Sequence, residues 1–149
     1  MKKRTKVILV VVAVVLGILA GGYFWYKAQE RQDEDKLREY GQQQDVLVEK
    51  MQEAIDMRDY ETARVYLDSI SVLRGQLKEN LECHYFTDES EDTFEYLQQR
   101  YQLFIEAGKA LSAGDSLSFT MCLSSISDLD ANYCEKYPGT VEKISWELN

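Results

Sequence analysis

The hydrophobic and polar positions divide the chain into an apolar run near the N-terminus and a longer amphipathic part. Residues 7–26 are twenty consecutive positions without a charged residue, Asn or Gln. A helix of that length spans ~30 Å, about the thickness of the hydrocarbon core of a bilayer, and it satisfies its own backbone hydrogen bonds there. The run ends in four aromatic residues, a type favoured at the level of the headgroups. The pattern predicts a transmembrane helix over 7–26.

The charges that flank this run predict its orientation. Four basic residues and no acid lie within 1–6, whereas Lys27 and Arg31 beyond the run are diluted by four acids. The positive-inside rule therefore predicts a cytoplasmic N-terminus and an extracytoplasmic domain in the cell membrane. The alternative is a signal peptide that is cleaved after Gly22, where small residues follow the apolar core. The retained anchor is favoured because the apolar run continues for four aromatic residues beyond that site.

The rest of the chain has helical patterns. Residues 27–44 are almost wholly polar and rich in helix formers, which predicts a stalk with a joint at Gly41 and the glutamines after it. The domain 45–149 has apolar residues at helical spacing. Four helices are predicted, near 44–57, 60–82, 93–112 and 116–136. Pro138 ends the last of them, and a short helix is predicted over 140–149. With one proline and few strand-like segments, the predicted fold class is all-α.

The starts and buried faces of these helices are also predicted. Asp59 lies in a tight turn, where it is placed to cap the second helix. Asp92-Thr93-Phe94-Glu95 has the spacing of a capping box, which predicts a third helix from about 93 and a loop over 83–92. The predicted buried faces of the third and fourth helices comprise Phe94, Leu97, Tyr101, Phe104 and Leu111, and Phe119, Leu123, Ile126 and Tyr133.

The domain contains an internal repeat with an offset of 56 residues. This shift places Asp59 on Asp115 and Leu67 on Leu123, and each unit has a helix, a tight turn at the Asp and a second helix. Because one hairpin cannot bury its apolar face alone, the two units are expected to stack. The predicted αα-hairpins cover about 45–82 and 93–137.

The turn of the first unit resembles that of tetratricopeptide (TPR) repeats. The segment reads Arg58-Asp59-Tyr60-Glu61-x-Ala63-x-x-Tyr66-Leu67, where the family usually has Gly-Asp-Tyr-Glu and then Ala at the position of close packing. The second unit keeps Ala113-Gly114-Asp115 but has Phe119 at the small position. The similarity covers roughly 15 residues per unit, the offset differs from the family's period of about 34 residues, and the family's first-helix pattern is mostly absent.

This resemblance implies a protein-binding or scaffolding role without catalysis. Two units are fewer than the three or more that such arrays usually need, which implies that the C-terminal tail or a partner caps them. The turn residues Asp59, Tyr60, Gly114 and Asp115 are the positions that carry the similarity. Convergence is the alternative, because any tight turn between antiparallel helices favours Asp and small residues.

The charge of the domain restricts its partners. All 26 acidic residues lie beyond residue 26, where 13 Lys and Arg leave a net charge of −13. Such a surface repels nucleic acid and anionic lipid headgroups, so neither is an expected partner. A basic protein or cations are compatible partners for this surface. The alternative is that the charge only keeps the domain soluble.

No pattern of catalytic or metal-binding residues stands out. The only histidine, His84, is adjacent to Cys83, without the spacing of a zinc site. The acidic segment 88–92 lacks the alternating ligands and central Gly of a calcium loop, so a solvated connector is expected. The chain has no nucleophile motif and no phosphate-binding glycine loop. We therefore expect a protein that is not an enzyme and has no cofactor, metal or small-molecule substrate.

The three cysteines leave two interpretations open. Cys122 and Cys134 lie ~18 Å apart on one predicted helix, too far to form a disulfide if it is straight. Cys83 and Cys134 both fall near the end of the second helix of their hairpin, so they are the candidate pair. The other interpretation is that all three cysteines are ordinary buried thiols.

The sequence thus predicts a membrane-anchored, extracytoplasmic interaction or scaffold module with a protein partner. The alternative is a small accessory subunit that associates through its transmembrane helix. Gly17 and Gly21 would allow another helix to approach closely there.

Overall fold

A computed structural model describes the backbone of residues 2–81 and 85–138 and the side chains of 14–81 and 85–138. Within these ranges the chain forms four α-helices and no strand, which confirms the all-α prediction. The helices are Lys2–Asp56 (α1), Tyr60–Asn80 (α2), Asp88–Ala113 (α3) and Ser116–Lys136 (α4).

The first helix, α1, is continuous through the predicted anchor, the stalk and the first amphipathic segment. The helix is not interrupted at Gly41, where a joint was predicted, because the glutamines that follow are good helix formers. The packing does change at this point, since the chain divides into the compact units Met1–Gly41 and Gln42–Asn149.

The predicted anchor lies partly outside the described side chains. In the portion of the chain where side chains are described, none of the helices is both long and apolar enough to cross a membrane. Residues 7–13 of the anchor fall outside that portion. Cys83, His84 and the tail that is predicted as a helix over 140–149 also lie outside the described residues.

The third helix begins earlier than the sequence predicted. Thr87 is its N-cap, with Thr87 Oγ1 accepting a hydrogen bond from Ser90 N at 3.2 Å. Three acids lie in the first turn, where they interact favourably with the helix dipole. The capping box at Asp92 and the loop over 83–92 were therefore wrong in part, because 88–92 is helical.

The core of the domain is shared by the first three helices. It contains small and aliphatic residues that allow the helices to approach closely, and the partly buried side chains of Tyr60, Phe94 and Tyr101 pack around it. The buried residues are Met51 and Ala54 of α1, Ala63, Leu67 and Ile70 of α2, and Ile105 of α3.

The buried faces of α3 and α4 differ from the prediction. Because α3 packs against both α2 and α4, it buries residues on two sides, with Ile105 in the core and Tyr96 stacked on Tyr133 of α4. Phe104 and Leu111, predicted to be buried, are exposed. On α4, Tyr133 is buried as predicted, but Leu123 is exposed and Phe119 and Ile126 are only half-buried.

Candidate functional site

The two turns between helices have the same side-chain hydrogen bonds at an offset of 56 residues. Asp59 Oδ1 accepts from Thr62 N at 3.2 Å, and Thr62 Oγ1 donates to Asp59 Oδ2 at 2.7 Å. In the second turn, Asp115 Oδ1 accepts from Ser118 N at 3.0 Å, and Ser118 Oγ donates to Asp115 Oδ2 at 2.6 Å. Both aspartates are therefore N-caps, as the sequence predicted for Asp59.

The backbone of the two turns is also equivalent. Asp59 N donates to Ala54 O at 2.8 Å, and Asp115 N donates to Ala110 O at 2.9 Å. The residue before each aspartate has left-handed backbone, with φ of 60° at Arg58 and 73° at Gly114. The internal repeat thus extends to single hydrogen bonds, although glycine occupies the left-handed position only in the second turn.

These hydrogen bonds perturb the titration of both caps. The hydroxyl of Thr62, and then its backbone N–H, lowers the pKa of Asp59 below its ordinary value of 3.8. The hydroxyl and N–H of Ser118 lower the pKa of Asp115 in the same way. Both carboxylates are therefore structural groups that stay ionised, because hydrogen bonds to the charged form favour it.

The second hairpin diverges from the first in packing. Leu67 is 2% exposed in the core that α1, α2 and α3 share, whereas the equivalent Leu123 on α4 is 47% exposed. No described helix follows α4 to cover it. The repeat therefore preserves the turn and not the burial of the second helix.

An apolar groove lies between the C-terminal part of α1 and α2. It has a volume of about 580 Å³, and five of its nine lining residues are Val or Leu. Val46, Val65 and Val72 are 48%, 61% and 60% exposed, so the groove presents aliphatic surface to solvent. Its lining comprises Gln43, Val46, Leu47, Val65, Asp68, Ser69, Val72, Leu73 and Gln76. We call this surface the α1–α2 groove.

The chemistry of the α1–α2 groove is that of a binding surface. Asp68 is the one charged residue in its described lining, and Ser69 supplies the one hydroxyl. Ser69 Oγ donates to Val65 O at 2.8 Å, as expected for a serine within a helix. The groove therefore combines apolar contact area with a single carboxylate.

Arg74 and Lys78 of α2 face away from this groove, toward α3. Arg74 Nη2 donates to Glu91 Oε1 of α3 at 2.8 Å, and Lys78 binds the other oxygen of the same carboxylate. The guanidinium of Arg74 also lies 4.9 Å from the Phe86 ring centre and 5.1 Å from that of Phe94. The hydrogen bond from Lys78 is the largest cause of the lowered pKa of Glu91.

A polar and aromatic network joins α3 to α4. Tyr96 Oη donates to Asp130 Oδ1 at 2.7 Å, and Arg100 Nε donates to the same oxygen at 3.0 Å. The Tyr96 and Tyr133 rings stack with centres 4.1 Å apart. Burial, followed by the hydrogen bond to Asp130, raises the pKa of Tyr96. The network fixes α4 on α3 where few aliphatic side chains are buried.

Asp92, the last residue of the predicted acidic connector 88–92, contacts the C-terminal end of α4. Asp92 accepts hydrogen bonds from Lys136 and from the hydroxyl of Tyr137. Lys136 first, and then Tyr137, lowers the pKa of Asp92. The sequence pattern predicts a solvated segment here and cannot indicate these contacts, because the positions of the basic partners depend on tertiary structure.

The remaining predicted site residues have fewer contacts. Tyr60 begins α2 and its ring packs against Gly108 of α3. Cys122 and Cys134 form no disulfide with each other, and the predicted pairing of Cys134 with Cys83 stays a prediction because Cys83 lies outside the described residues. Among the described residues, no group of three or more His, Cys, Asp or Glu is arranged to hold a metal ion.

The two glycines of the predicted membrane contact are open. Nothing lies within 4 Å of the position that a Cβ atom would take on Gly17 or Gly21. Their helix surface is therefore free for an approaching group in the described structure.

No protein-family model, no curated protein and no solved structure matches the chain.

Proposed function

We propose that this chain is a membrane-anchored, extracytoplasmic interaction module that binds a protein partner in the α1–α2 groove and does not catalyse a reaction. The observation that carries the proposal is the aliphatic surface of that groove, where Val46, Val65 and Val72 are largely exposed. An exposed apolar groove between helices is a common feature of sites that bind protein segments.

The equivalent turns support a repeat origin for this module. Asp59 and Asp115 have matching partners in Thr62 and Ser118, in agreement with TPR-like hairpins. Such hairpins present surfaces for protein partners, and an array of two units leaves uncovered apolar area at its end.

The N-terminal part of α1 supports a membrane anchor. The nine large apolar side chains from Val14 to Tyr26 are each exposed, so this stretch is apolar on every side and has no protein core to cover it in the described structure. A helix with that property is stable in a membrane or against another apolar surface. Together with the apolar residues at 7–13 and the basic residues before them, it favours a single span with a cytoplasmic N-terminus.

The anchor and its orientation are tested by alkaline extraction and protease protection of the full chain in membranes. We expect the protein to stay with the lipid after extraction and the domain 45–149 to be digested only from the extracytoplasmic side. Release by alkali, or a mature mass that begins after residue 22, would contradict a retained anchor.

The binding site is tested by photo-crosslinking of the full chain in its native membranes. A benzoylphenylalanine at position 72 lies in the groove, and the matched control at position 117 replaces Leu117, an exposed aliphatic residue on α4. We expect a defined protein adduct from position 72 that is lost when Val65 is changed to Ser. Identical adducts from both positions, or none from position 72, would contradict a partner in this groove.

The second candidate, an accessory subunit that associates through its membrane helix, is supported by the open surface at Gly17 and Gly21. Small residues at this spacing let two helices approach closely in lipid. The variant Gly17→Ile/Gly21→Ile separates the two candidates. If the protein is an accessory subunit, the variant abolishes association through the membrane helix; if it is a groove-binding module, the crosslink from position 72 stays intact.

A further inference from the structure

We infer that the partner segment which binds the α1–α2 groove is a basic amphipathic helix, an inference that rests on the proposed function. It specifies the chemistry of the occupant, which the proposal of an interaction module leaves open.

The dimensions of the groove fit a short helix. Its lining residues on α2 extend from Val65 to Gln76, which is ~16 Å or about three turns. The opposite wall is formed by Gln43, Val46 and Leu47 of α1. An amphipathic helix inserts apolar residues at positions i, i+3 or i+4 and i+7 into such a groove, and its polar face stays in water.

The charges around the groove favour a basic polar face on that helix. Asp68 lies in the lining, and the compact unit that contains the groove, 42–149, has 21 acids against nine Lys and Arg. Arg74 and Lys78 of α2 are bound to Glu91 on the side of α3, so they do not neutralise the groove. Arg64, one helical turn before Asp68, offsets part of its charge and leaves the excess of acids in the unit as the main source of attraction. Because residues 27–149 have a net charge of −13, long-range electrostatic attraction also favours a cationic segment.

Burial of aliphatic side chains supplies the affinity in this arrangement, and charge supplies the selectivity. Val65 and Val72 flank Asp68 at helical spacing. A bound helix with Leu on one face and Lys on the other therefore covers both valines with its Leu face and brings a Lys at the edge of that face to the carboxylate. An acidic helix of equal hydrophobicity would bring like charges together there. It is expected to be rejected.

The test uses the full-length chain in a neutral maltoside detergent and two fluorescent, hydrocarbon-stapled helical peptides with the same Leu face. One peptide has Lys and the other has Glu on its polar face, and empty micelles provide the blank. Binding is measured by fluorescence anisotropy at about 0.1 M and about 1 M salt, because screening at the higher concentration removes most of the charge effect.

We expect the Lys peptide to bind the wild-type chain at least about tenfold more tightly than the Glu peptide at low salt. The variant Val65→Ser/Val72→Ser is expected to weaken binding of the Lys peptide by about tenfold or more, because buried aliphatic contacts are lost. Asp68→Asn is expected to weaken it by roughly two- to fivefold at low salt only. Far-UV circular dichroism establishes that each variant is folded.

Matched controls lie on α4, away from the groove. Leu117→Ser/Met121→Ser removes two exposed aliphatic residues, and Asp128→Asn removes one exposed acid. Neither control is expected to change the affinity more than about twofold. Equal binding of the two peptides, or an equal loss with the control variants, overturns the inference.

Two further results assign the groove to another occupant and also overturn the inference. If binding of the Lys peptide appears only after deletion of 139–149, the chain's own C-terminal segment occupies the groove. If binding is lost as the protein concentration and its oligomeric state rise together, a second copy occupies it. The two proposals can fail separately. If the crosslink in membranes is specific to the groove but the two peptides bind equally, the interaction module is supported and only the basic helix is contradicted.

Discussion

The ring of Tyr60 at the start of α2 fills the space that a side chain on Gly108 of α3 would need. A Cβ atom on Gly108 would lie 2.5 Å from Tyr60 Cζ and 2.8 Å from its Oη, well inside van der Waals contact. Gly108 therefore lets α3 approach the end of α2 that follows the first turn. The ring in turn packs against the shared core, so it cannot move without uncovering apolar surface.

The first prediction follows from this contact. Gly108→Ala is expected to lower the free energy of unfolding by ~1–3 kcal/mol, because overpacking displaces the Tyr60 ring. Gly75→Ala is the matched control: it lies inside α2 with nothing within 4 Å of the Cβ position, and is expected to raise stability by ~0.5–1 kcal/mol. Urea unfolding of the full chain, followed by circular dichroism, measures both.

A double variant tests the cause of that loss. In a Tyr60→Ala background, Gly108→Ala is expected to cost less than about 0.5 kcal/mol, because the ring that it displaces is gone. An equal cost in both backgrounds would attribute the effect to some contact other than Tyr60.

The second prediction concerns the left-handed residue of the first turn. Arg58 has φ of 60°, where the equivalent residue of the second turn is Gly114. Arg58→Gly is expected to raise the free energy of unfolding by ~0.5 kcal/mol, since relief of the left-handed strain exceeds the entropy cost of glycine. Gly114→Ala is expected to lower it by ~1 kcal/mol. Arg58→Ala keeps the strain and removes the side chain, so it should be near neutral in the same unfolding assay.

The third prediction concerns acid stability and the N-caps. The pKa of Asp59 and that of Asp115 are both lowered in the folded chain, so the folded state favours their ionised forms. Their stabilising contribution is complete above the ordinary value of 3.8 and is lost as the pH falls through the lowered pKa. Thermal unfolding between about pH 7 and about pH 2 is expected to show this loss below about pH 4.

Variants separate the caps from the other carboxylates. Asp59→Asn/Asp115→Asn keeps an oxygen acceptor without a titratable group, so its melting temperature is expected to fall less steeply in acid than that of the wild type. Asp59→Ala/Asp115→Ala removes the acceptors and is expected to lower the melting temperature by several degrees at neutral pH. Parallel acid profiles of wild type and the Asn variant would show that the caps do not contribute.

The fourth prediction concerns the node between α3 and α4. Asp130→Ala is expected to lower the free energy of unfolding by ~1–3 kcal/mol, because it leaves the buried hydroxyl of Tyr96 and the guanidinium of Arg100 without their shared acceptor. Tyr96→Phe alone is expected to cost ~1 kcal/mol. The exposed Asp128, two residues away, provides the control, and Asp128→Ala is expected to stay within about 0.5 kcal/mol.

A double-mutant cycle measures the coupling within this node. If Tyr96 and Asp130 stabilise the domain through their mutual hydrogen bond, the cost of the double variant is less than the sum of the single costs. Strict additivity in urea unfolding would mean that the two residues act independently.

Local chemistry was the part of this fold that the sequence predicted best. Asp59 caps α2 as expected, and α4 has the predicted bounds, because a cap and a helix period depend on neighbours in the chain. The start of α3 was wrong because the acidic segment was interpreted as a loop. The signal present there was Thr87 followed by acids in the first helical turn, which suits a helix N-terminus.

Tertiary contacts were the part that it did not predict. Phe104 and Leu111 were expected to be buried because they are apolar, yet α3 packs between two helices through Ile105 and Tyr96. The α1–α2 groove combines residues that lie about twenty positions apart in the chain, and no local pattern marks it. Such pairings depend on how helices cross, and hydrophobicity alone does not determine this.

Two consecutive acids of α3 hold different helices. Glu91 binds Arg74 and Lys78 of α2, whereas Asp92 binds Lys136 of α4. Among the described residues, this end of the helix bundle has three ion pairs between helices, whereas the end with the two capped turns has one, between Lys109 and the exposed Glu61, beside its local hydrogen bonds and apolar packing. Salt of about 1 M screens ion pairs but leaves hydrogen bonds and apolar packing largely unchanged. Local stability is thus graded along the helix axis, and backbone amides near the ion-paired end are expected to gain hydrogen exchange with salt before those beside the turns.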